Sequence, residues 1–493
     1  MGEAATNPPV PDRELFSYTS GRYLYNEKLR LAERYIQFNI GALKRIAARS
    51  VSRERVVHLK KLAEGGFNRV LLLTMEDGLE VIVKIPFSIA EPKGLATESE
   101  VATLDFLRSK GVPVPRVYAW SSQAENEVGG EYIIMEKATG NPLRDRWFGL
   151  TEKEQIRLVT SYAEIECTLF SLPFGSYGSI YYKDNLPQNI QADLYAAGVE
   201  DKDNDADRFC IGDLGDAPTI ISTPPAGKKG NGLANMGRPK PTIFLTTIYS
   251  KEKFHLSYLN PTNIYVSDSC EISCIIDWQH TTILPLLLAA GNPPLFENPD
   301  PEPPRDYAKP QLPADYESLG PHEKSQADEL HRRRMLFYWY MIFNTKDNKP
   351  HFNALRYPFL MLIQHLVDRA GRPWTGNTVT LKGALLRVVN SWDALMSTKS
   401  DGKVLCPVHF KADDARGFYE LEDGWFKCNI LVEHWRSLLD DLGQDGWVRS
   451  ESFERVVEVN RQLKKEWIDQ AENEKDFDQV VRFWPFQDHV EDE

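Results

Sequence analysis

The chain places a lysine inside an apolar run, Val81-Ile82-Val83-Lys84-Ile85, whose other members belong in a core. An ammonium in such surroundings is costly unless an anion meets it. Glu100 is the first candidate, two helical turns before Leu107 and on the face that Leu104 and Leu107 share; Glu98 is the other. A strand lysine paired with a helix-borne glutamate steers the phosphates of a nucleotide in kinases. A partly exposed lysine and a solvated glutamate is the plainer alternative. Upstream, Leu62-Ala63-Glu64-Gly65-Gly66-Phe67-Asn68-Arg69-Val70 sets two glycines ahead of a strand. Backbone N–H groups approach phosphate oxygens only where no side chain intervenes, so Gly65, Gly66, Phe67 and Asn68 suit a hairpin over phosphates, and equally an ordinary turn. Downstream, Asn263 and Asp277 flank a short hairpin. They are oxygen donors of the kind Mg²⁺ on a nucleotide takes from a protein, and each is also a common turn former.

Those residues need a frame to hold them. Val70–Thr74 and Leu79–Ile85 read as two antiparallel strands joined through Met75-Glu76-Asp77-Gly78, where Asp-Gly signals a hairpin. A helix follows over Thr97–Lys110, closed by Pro113 and Pro115, and then a strand over Glu131–Glu136. Helical spacing over Glu27–Ala48 puts helices before the sheet. Further helices are predicted over Glu152–Leu172, Asp328–Phe343, Asn353–Arg369, Thr380–Met396 and Trp425–Gln470. The order predicts an α+β fold of two lobes, an N-terminal antiparallel sheet with its helix and a mostly α C-terminal lobe. The expected divisions are a tail over 1–26, an N-lobe with preceding helices over 27–137, and the start of the C-lobe over 138–211. A Gly/Pro-rich loop or disordered insert over 212–241, a loop and hairpin over 242–292, a Pro-rich linker over 293–321 and a helical lobe over 322–493 complete the chain. Eleven of the thirty residues from Gly212 to Pro241 are Gly or Pro, too many for a helix or a paired strand.

Bulk properties narrow the partners. A length of 493 residues suits two domain-sized units. A formal charge of −13 disfavours a general nucleic-acid or anionic-membrane binder, so any phosphate site is local. Cys167, Cys210, Cys270, Cys274, Cys406 and Cys428 form no CxxC pair, and thiols are expected in place of disulfides or structural zinc. The longest apolar run, Met335–Phe343, is about half of a membrane span. The first twenty residues carry Arg13 against Glu3, Asp12 and Glu14, the reverse of an Arg-rich presequence, which leads to a cytoplasmic expectation.

Taken together, Tyr18-Thr19-Ser20-Gly21-Arg22-Tyr23, Leu62–Asn68, Ser99-Glu100-Val101-Ala102-Thr103, Pro113-Val114-Pro115 and Ile276-Asp277-Trp278-Gln279-His280 resemble the aminoglycoside phosphotransferase and choline kinase superfamily. Within it the chain looks like the fungal branch related to altered inheritance of mitochondria protein 9. The resemblance covers Glu14 to about Cys210 and Leu259 onward. It implies a protein-kinase-like fold and an ATP site, with adenine against the strand ending at Met135, Glu136 and Ala138. It further implies Lys84 and Glu100 on the phosphates, Asn263 and Asp277 on Mg²⁺, a small-molecule hydroxyl as acceptor, and a mitochondrial alternative for location.

One departure bears on activity. Members of that superfamily carry His-x-Asp-Leu immediately before the Asn, and the Asp accepts the proton of the substrate hydroxyl. Here Tyr258 stands at the Asp position and Leu256 at the His position, and Glu252 is the sole acid between Thr242 and Ser267. A phenol with an ordinary pKa near ~10 is a poor base at neutral pH. Either the ancestral site was dismantled or the reading frame includes a mis-joined segment. The expectation is a protein that binds Mg·ATP with weak or absent phosphotransfer, the alternatives being an active kinase with a different base and a nucleotide-binding pseudokinase scaffold. Glu420, Glu422 and Asp423 read as receivers of a cationic substrate or as a solvated face.

Overall fold

The computed structural model describes residues 10–212, 252–254, 261–301, 308–371, 378–397, 404–440 and 442–490. Residues 213–241 of the expected Gly/Pro-rich insert, and Tyr258, lie outside the described residues. Gly212 itself ends a strand.

The expected two-lobed α+β architecture is present. Ahead of the sheet come α1 (Val10–Phe16), β1 (Arg22–Tyr23), α2 (Glu27–Glu33) and α3 (Ile40–Ser50). The sheet has the order β2-β3-β4-β6-β5, from β2 (Val56–Glu64), β3 (Asn68–Met75), β4 (Glu80–Pro86), β5 (Val117–Ser121) and β6 (Tyr132–Glu136), with α4 (Leu95–Ser109) between β4 and β5. The Asp77-Gly78 turn closes as the sequence requires, with Gly78 at φ +88° and the Met75 N–H donating to the Leu79 carbonyl at 2.8 Å. One face of β3 and β4 packs Leu71, Leu73, Val81 and Val83 against Ala42, Leu43 and Ala47 of α3, all fully buried. Two strands were not legible in advance, because β2 shifts register twice against β3 and β5 shifts once against β6, which breaks the alternation of buried and exposed residues.

The second lobe begins with β7 (Asn141–Pro142), α5 (Leu143–Arg146) and the twenty-residue α6 (Glu152–Ser171), which opens on a capping box between Thr151 and Glu154. A small sheet of β8 (Ser179–Tyr182), β10 (Phe209–Gly212) and β9 (Gln191–Ala192) follows, with α7 (Asp205–Arg208) leading into β10. β11 (Glu252–Phe254) pairs with β14 (Ile283–Pro285), and the hairpin of β12 (Ile264–Val266) and β13 (Ile272–Ile275) pairs with β7. The helices α8 (Leu286–Ala289), α9 (Pro321–Asp347), α10 (Lys349–Leu355), α11 (Leu360–Gly371), α12 (Val379–Asn390), α13 (Trp392–Met396), α14 (Ala412–Leu438), α15 (Phe453–Ile468) and α16 (Glu474–Arg482) make up the rest, with β15 (Trp447–Val448) between α14 and α15.

Several expectations change. The helix expected over Asn353–Arg369 is cut at Tyr357-Pro358, where proline disfavours a helical residue before it. The one expected over Trp425–Gln470 is two helices, separated by a turn with Gly446 at φ +86° and by β15. The expected tail is packed from Phe16 onward: Phe16, Tyr23 and Tyr25 are buried, and β1 pairs with β15. The Pro-rich linker carries a core residue, since Phe296 is fully buried against Tyr162 and Tyr340 with ring centroids 4.9 and 5.2 Å away.

Gly140 joins the two lobes at φ +92°, where an added Cβ would lie 2.4 Å from Ser273 Oγ and 2.5 Å from the Val266 carbonyl oxygen. Gly129 has a similar φ of +83° but open space around it. Gly129→Ala should cost about 1 kcal/mol, from backbone strain alone, and Gly140→Ala about 3 kcal/mol, because the β12–β13 hairpin must also give way. Urea unfolding midpoints check this, and equal losses would contradict the close approach.

Candidate functional site

Lys84 lies on β4 between Val83 and Ile85, opposite Val70 of β3 and Ile133 of β6, and is 6% exposed. Its Nζ donates to both carboxylate oxygens of Glu100, each at 2.8 Å, and to Asp277 Oδ1 at 2.9 Å. Glu98 is engaged elsewhere, accepting from Ser122 Oγ at 2.7 Å, so the choice between the two glutamates falls to Glu100. The three donors of the ammonium are all used. Burial pushes the Lys84 pKa down, but Asp277 and Glu100 outweigh it and hold the group above its usual value. Burial raises the Glu100 carboxyl against the pull of Lys84, and the Lys84 charge holds Asp277 below the usual carboxylate range.

Asp277 reaches this point through the β12–β13 hairpin. The Ile276 N–H donates to the Asn263 carbonyl at 2.9 Å, and the Ile275 N–H to the Pro113 carbonyl at 2.8 Å, which ties the hairpin to the loop after α4. Trp278 is buried and its indole N–H donates to the Ile275 carbonyl at 3.0 Å. Asp277 itself adopts φ +64°, a left-handed conformation that costs an L-residue roughly 1–2 kcal/mol. Such strain persists only where the surroundings enforce it. Its side chain remains 49% exposed, whereas that of Glu100 is 3% exposed. The half-buried Asn263 accepts from Thr262 Oγ1 at 3.3 Å.

The glycine hairpin closes with Gly65 N–H on the Asn68 carbonyl at 2.9 Å. Neither Gly65 nor Gly66 has a positive φ, and a Cβ at either would meet nothing within 4 Å. Local geometry and packing therefore give no reason for glycine here. The tip touches the segment after Asp277: Asn68 Nδ2 donates to Gln279 Oε1 at 2.6 Å, and Phe67 meets His280 edge-on at 6.2 Å between centroids. Burial and the nearby Lys84 lower the His280 pKa against the opposing pull of Asp277. The sequence supplied Gln279 and His280 only as letters of a motif; their contact with the hairpin tip required the fold.

Met135 is buried opposite Ile82 and Val117. The Glu136 carboxylate is held by Arg108 and by the Arg116 N–H, both at 3.1 Å, and its own N–H donates to the Arg116 carbonyl at 2.8 Å. Glu136 and Ala138 line a cavity of about 420 Å³ with Arg108, Val112, Pro113 and Cys274, and Lys84, Glu100 and Asp277 are not in its walls. Of the acidic positions on α14, Glu422 is 5% exposed and bound by Arg387 through two bonds of 2.9 Å, and Asp423 pairs with Lys427. Tyr258 is outside the described residues. All six cysteines are unbridged, and among the described residues no group of three or more His, Cys, Asp or Glu is placed to hold a metal.

The phosphotransferase enzyme family matches residues 58–215. A subtelomeric hrmA-associated cluster protein of Aspergillus fumigatus is 32% identical over 87% of this chain and 96% of its own length. The chain belongs to the aminoglycoside phosphotransferase-like family. Its place in the fungal branch is supported by proteins called altered inheritance of mitochondria protein 9, mitochondrial. That of Yarrowia lipolytica is 21% identical over 90% of this chain and 86% of its own, and that of Candida tropicalis 30% identical over 40% and 38%. Among solved structures, the streptomycin-ATP-APH(2")-IIa ternary complex is 12% identical over 72% of this chain and 97% of that one, with a TM-score of 0.34. The kinase-like, two-lobed α+β fold expected of the family is the one described above.

Lys84→Met should cost about 3–5 kcal/mol at pH 7, since it leaves Glu100 buried without its cation. With Lys84 gone the folded-state Glu100 pKa rises further above its unfolded value, so the folded form takes up a proton more readily and the loss shrinks as pH falls from 7 toward 5. Adding Glu100→Gln should recover much of the loss at pH 7. Urea unfolding of the single and double variants at both pH values tests this; a loss independent of pH and of the second substitution would contradict the pair.

Proposed function

We propose that this chain binds a magnesium–nucleoside triphosphate, ATP by the chemistry of its family, at Lys84, Glu100, Asn263 and Asp277 beneath the glycine hairpin. We further propose that its phosphoryl transfer to a small-molecule hydroxyl is slow or absent. The observation that carries the reading is the unequal pairing of Lys84. Glu100 is sealed with it in the interior, while Asp277 is half exposed and held in a strained conformation. All three ammonium donors are used, so phosphate oxygens reach Lys84 by displacing a carboxylate, and Asp277 is the one with solvent to move into. Glu100 keeps the ammonium charged and aimed. Gly65 and Gly66, whose absent side chains nothing in the protein requires, put no side chain between the backbone of the turn and a phosphate.

The donor set fits magnesium. Mg²⁺ takes one or two protein oxygens and completes its shell with phosphate and water, as a single carboxylate and an amide carbonyl allow. Asn263 and Asp277 would hold it, and the bound ion would neutralise phosphate charge. On the acceptor side, no carboxylate precedes Asn263 within the loop. A general base is typically worth ~10²–10⁴-fold, while positioning and charge neutralisation supply the rest. The names of the relatives make the mitochondrion the proposed location and the cytoplasm the alternative. Among the described residues no helix is long and apolar enough to cross a membrane.

Calorimetry should detect Mg·ATP binding to the wild type, and Asp277→Ala should weaken it about tenfold or more through loss of a metal oxygen. Glu100→Gln should act more mildly, by loosening Lys84. Wild-type affinity in the Asp277 variant would overturn the site. ATP consumption measured against amino-alcohols, aminoglycosides and sugars should be slow. Robust turnover that disappears in Asp277→Ala would overturn the slow-transfer reading and require a different activating group.

A further inference from the structure

The Tyr18-Thr19-Ser20-Gly21-Arg22-Tyr23 motif lies across the base of the glycine hairpin. Glu64 and Arg69 are cross-strand partners on either side of Gly65–Asn68, and both side chains are fully buried. Arg69 Nε donates to Glu64 Oε1 at 2.9 Å, so an ion pair closes the hairpin from below. The other carboxylate oxygen belongs to the motif: Glu64 Oε2 accepts from the Thr19 N–H at 2.8 Å, from Thr19 Oγ1 at 3.0 Å and from Ser20 Oγ at 3.3 Å. Lys61 Nζ adds a second tie, to the Ser17 carbonyl at 2.7 Å and Thr19 Oγ1 at 3.0 Å.

The far end of the motif is anchored in the C-terminal helices. Gly21 is pressed under Trp447, where an added Cβ would lie 2.2 Å from the indole nitrogen and 2.7 Å from the Val448 carbonyl oxygen. Arg22 and Tyr23 pair with Val448 and Trp447. The Arg22 guanidinium binds Glu27 at 2.9 and 3.0 Å and sits 3.6 Å above the centre of the Phe453 ring. A segment of six residues thus joins α15 to the residue immediately before Gly65.

We propose that this strap sets the position of the Gly65-Gly66 turn over the nucleotide phosphates, and that Glu64 is the positioning residue through which it acts. Two adjacent glycines with no side-chain contacts have wide backbone freedom, so the turn inherits its order from its two ends. One end is Glu64, whose carboxylate is oriented by Arg69 from the sheet and by Thr19 and Ser20 from the strap. The proposal rests on the nucleotide reading above.

Thr19→Val with Ser20→Ala, both at exposed positions, removes two hydroxyl donors from Glu64 and the Lys61 bond to Thr19 while leaving the Thr19 backbone bond and the buried Glu64–Arg69 pair in place. Hydrogen exchange in the absence of nucleotide should quicken over Leu62–Asn68 and stay unchanged over Ser179–Tyr182. The calorimetric Kd for Mg·ATP should rise about fivefold, the size expected for the loss of one net hydrogen bond, and Thr19→Ser alone should retain wild-type affinity. A merely structural role would lower the melting temperature and quicken exchange in both segments without changing the Kd, and that result would overturn the strap while leaving nucleotide binding intact. Failure of the wild type to bind Mg·ATP would overturn the nucleotide reading and the proposal together. Quickened exchange at the hairpin with unchanged affinity would also overturn the positioning role.

Discussion

A lysine sealed between Val83 and Ile85 must be met by a carboxylate, and much of the N-lobe follows from that requirement. A bare ammonium in such a place is too costly to keep. Glu100 therefore has to arrive from α4 at a fixed height and rotation, and α4 is fastened at both ends. Glu131, just before β6, accepts from the Gly94 N–H and from Thr97 Oγ1 at the start of the helix. At the other end Gly111 turns the chain at φ +78°, and Pro113 offers its carbonyl to Ile275 of the β12–β13 hairpin. That hairpin delivers Asp277 back to Lys84. The constraints form a closed circuit from strand to helix to hairpin to strand, and displacement of any member is felt at the other two charges.

The sequence made this circuit visible where residues contradicted their surroundings. Lys84 stands out because it interrupts a core strand, Glu100 because it lies on the apolar side of its helix, and Asp277 because it follows a short strand at a position where the chain turns. What stayed hidden was direction and long-range contact. Glu136 closes a strand whose position is easily read, yet its carboxylate turns to Arg108, which only the packing of α4 determines. Strands β2 and β5 carry register shifts that erase the two-residue period. The Tyr18–Tyr23 motif is legible as a likeness and not as a contact, because its partners are Glu64 and residues from Trp447 onward, neither of which local pattern connects to it.

The function proposed above divides the labour within one chain. On that reading the half that handles charge consists of a fixed ammonium, an exposed carboxylate beside it and a glycine turn free of side chains. The proposed acceptor half has no carboxylate in the loop before Asn263. Phosphoryl transfer depends heavily on positioning and electrostatics, so such a protein would hold its nucleotide in order while turning it over slowly. The same arrangement suits a role in which the nucleotide-bound shape is what matters.

The measurement that bears most directly on this account is a structure of the chain with Mg²⁺ and a non-hydrolysable ATP analogue. The account predicts that Lys84 keeps both bonds to Glu100, gives up its 2.9 Å bond to Asp277 in favour of phosphate oxygen, and leaves Asp277 and Asn263 on the metal beneath Gly65 and Gly66. An analogue bound elsewhere, or a Lys84–Asp277 contact that survives nucleotide in the site, would contradict it.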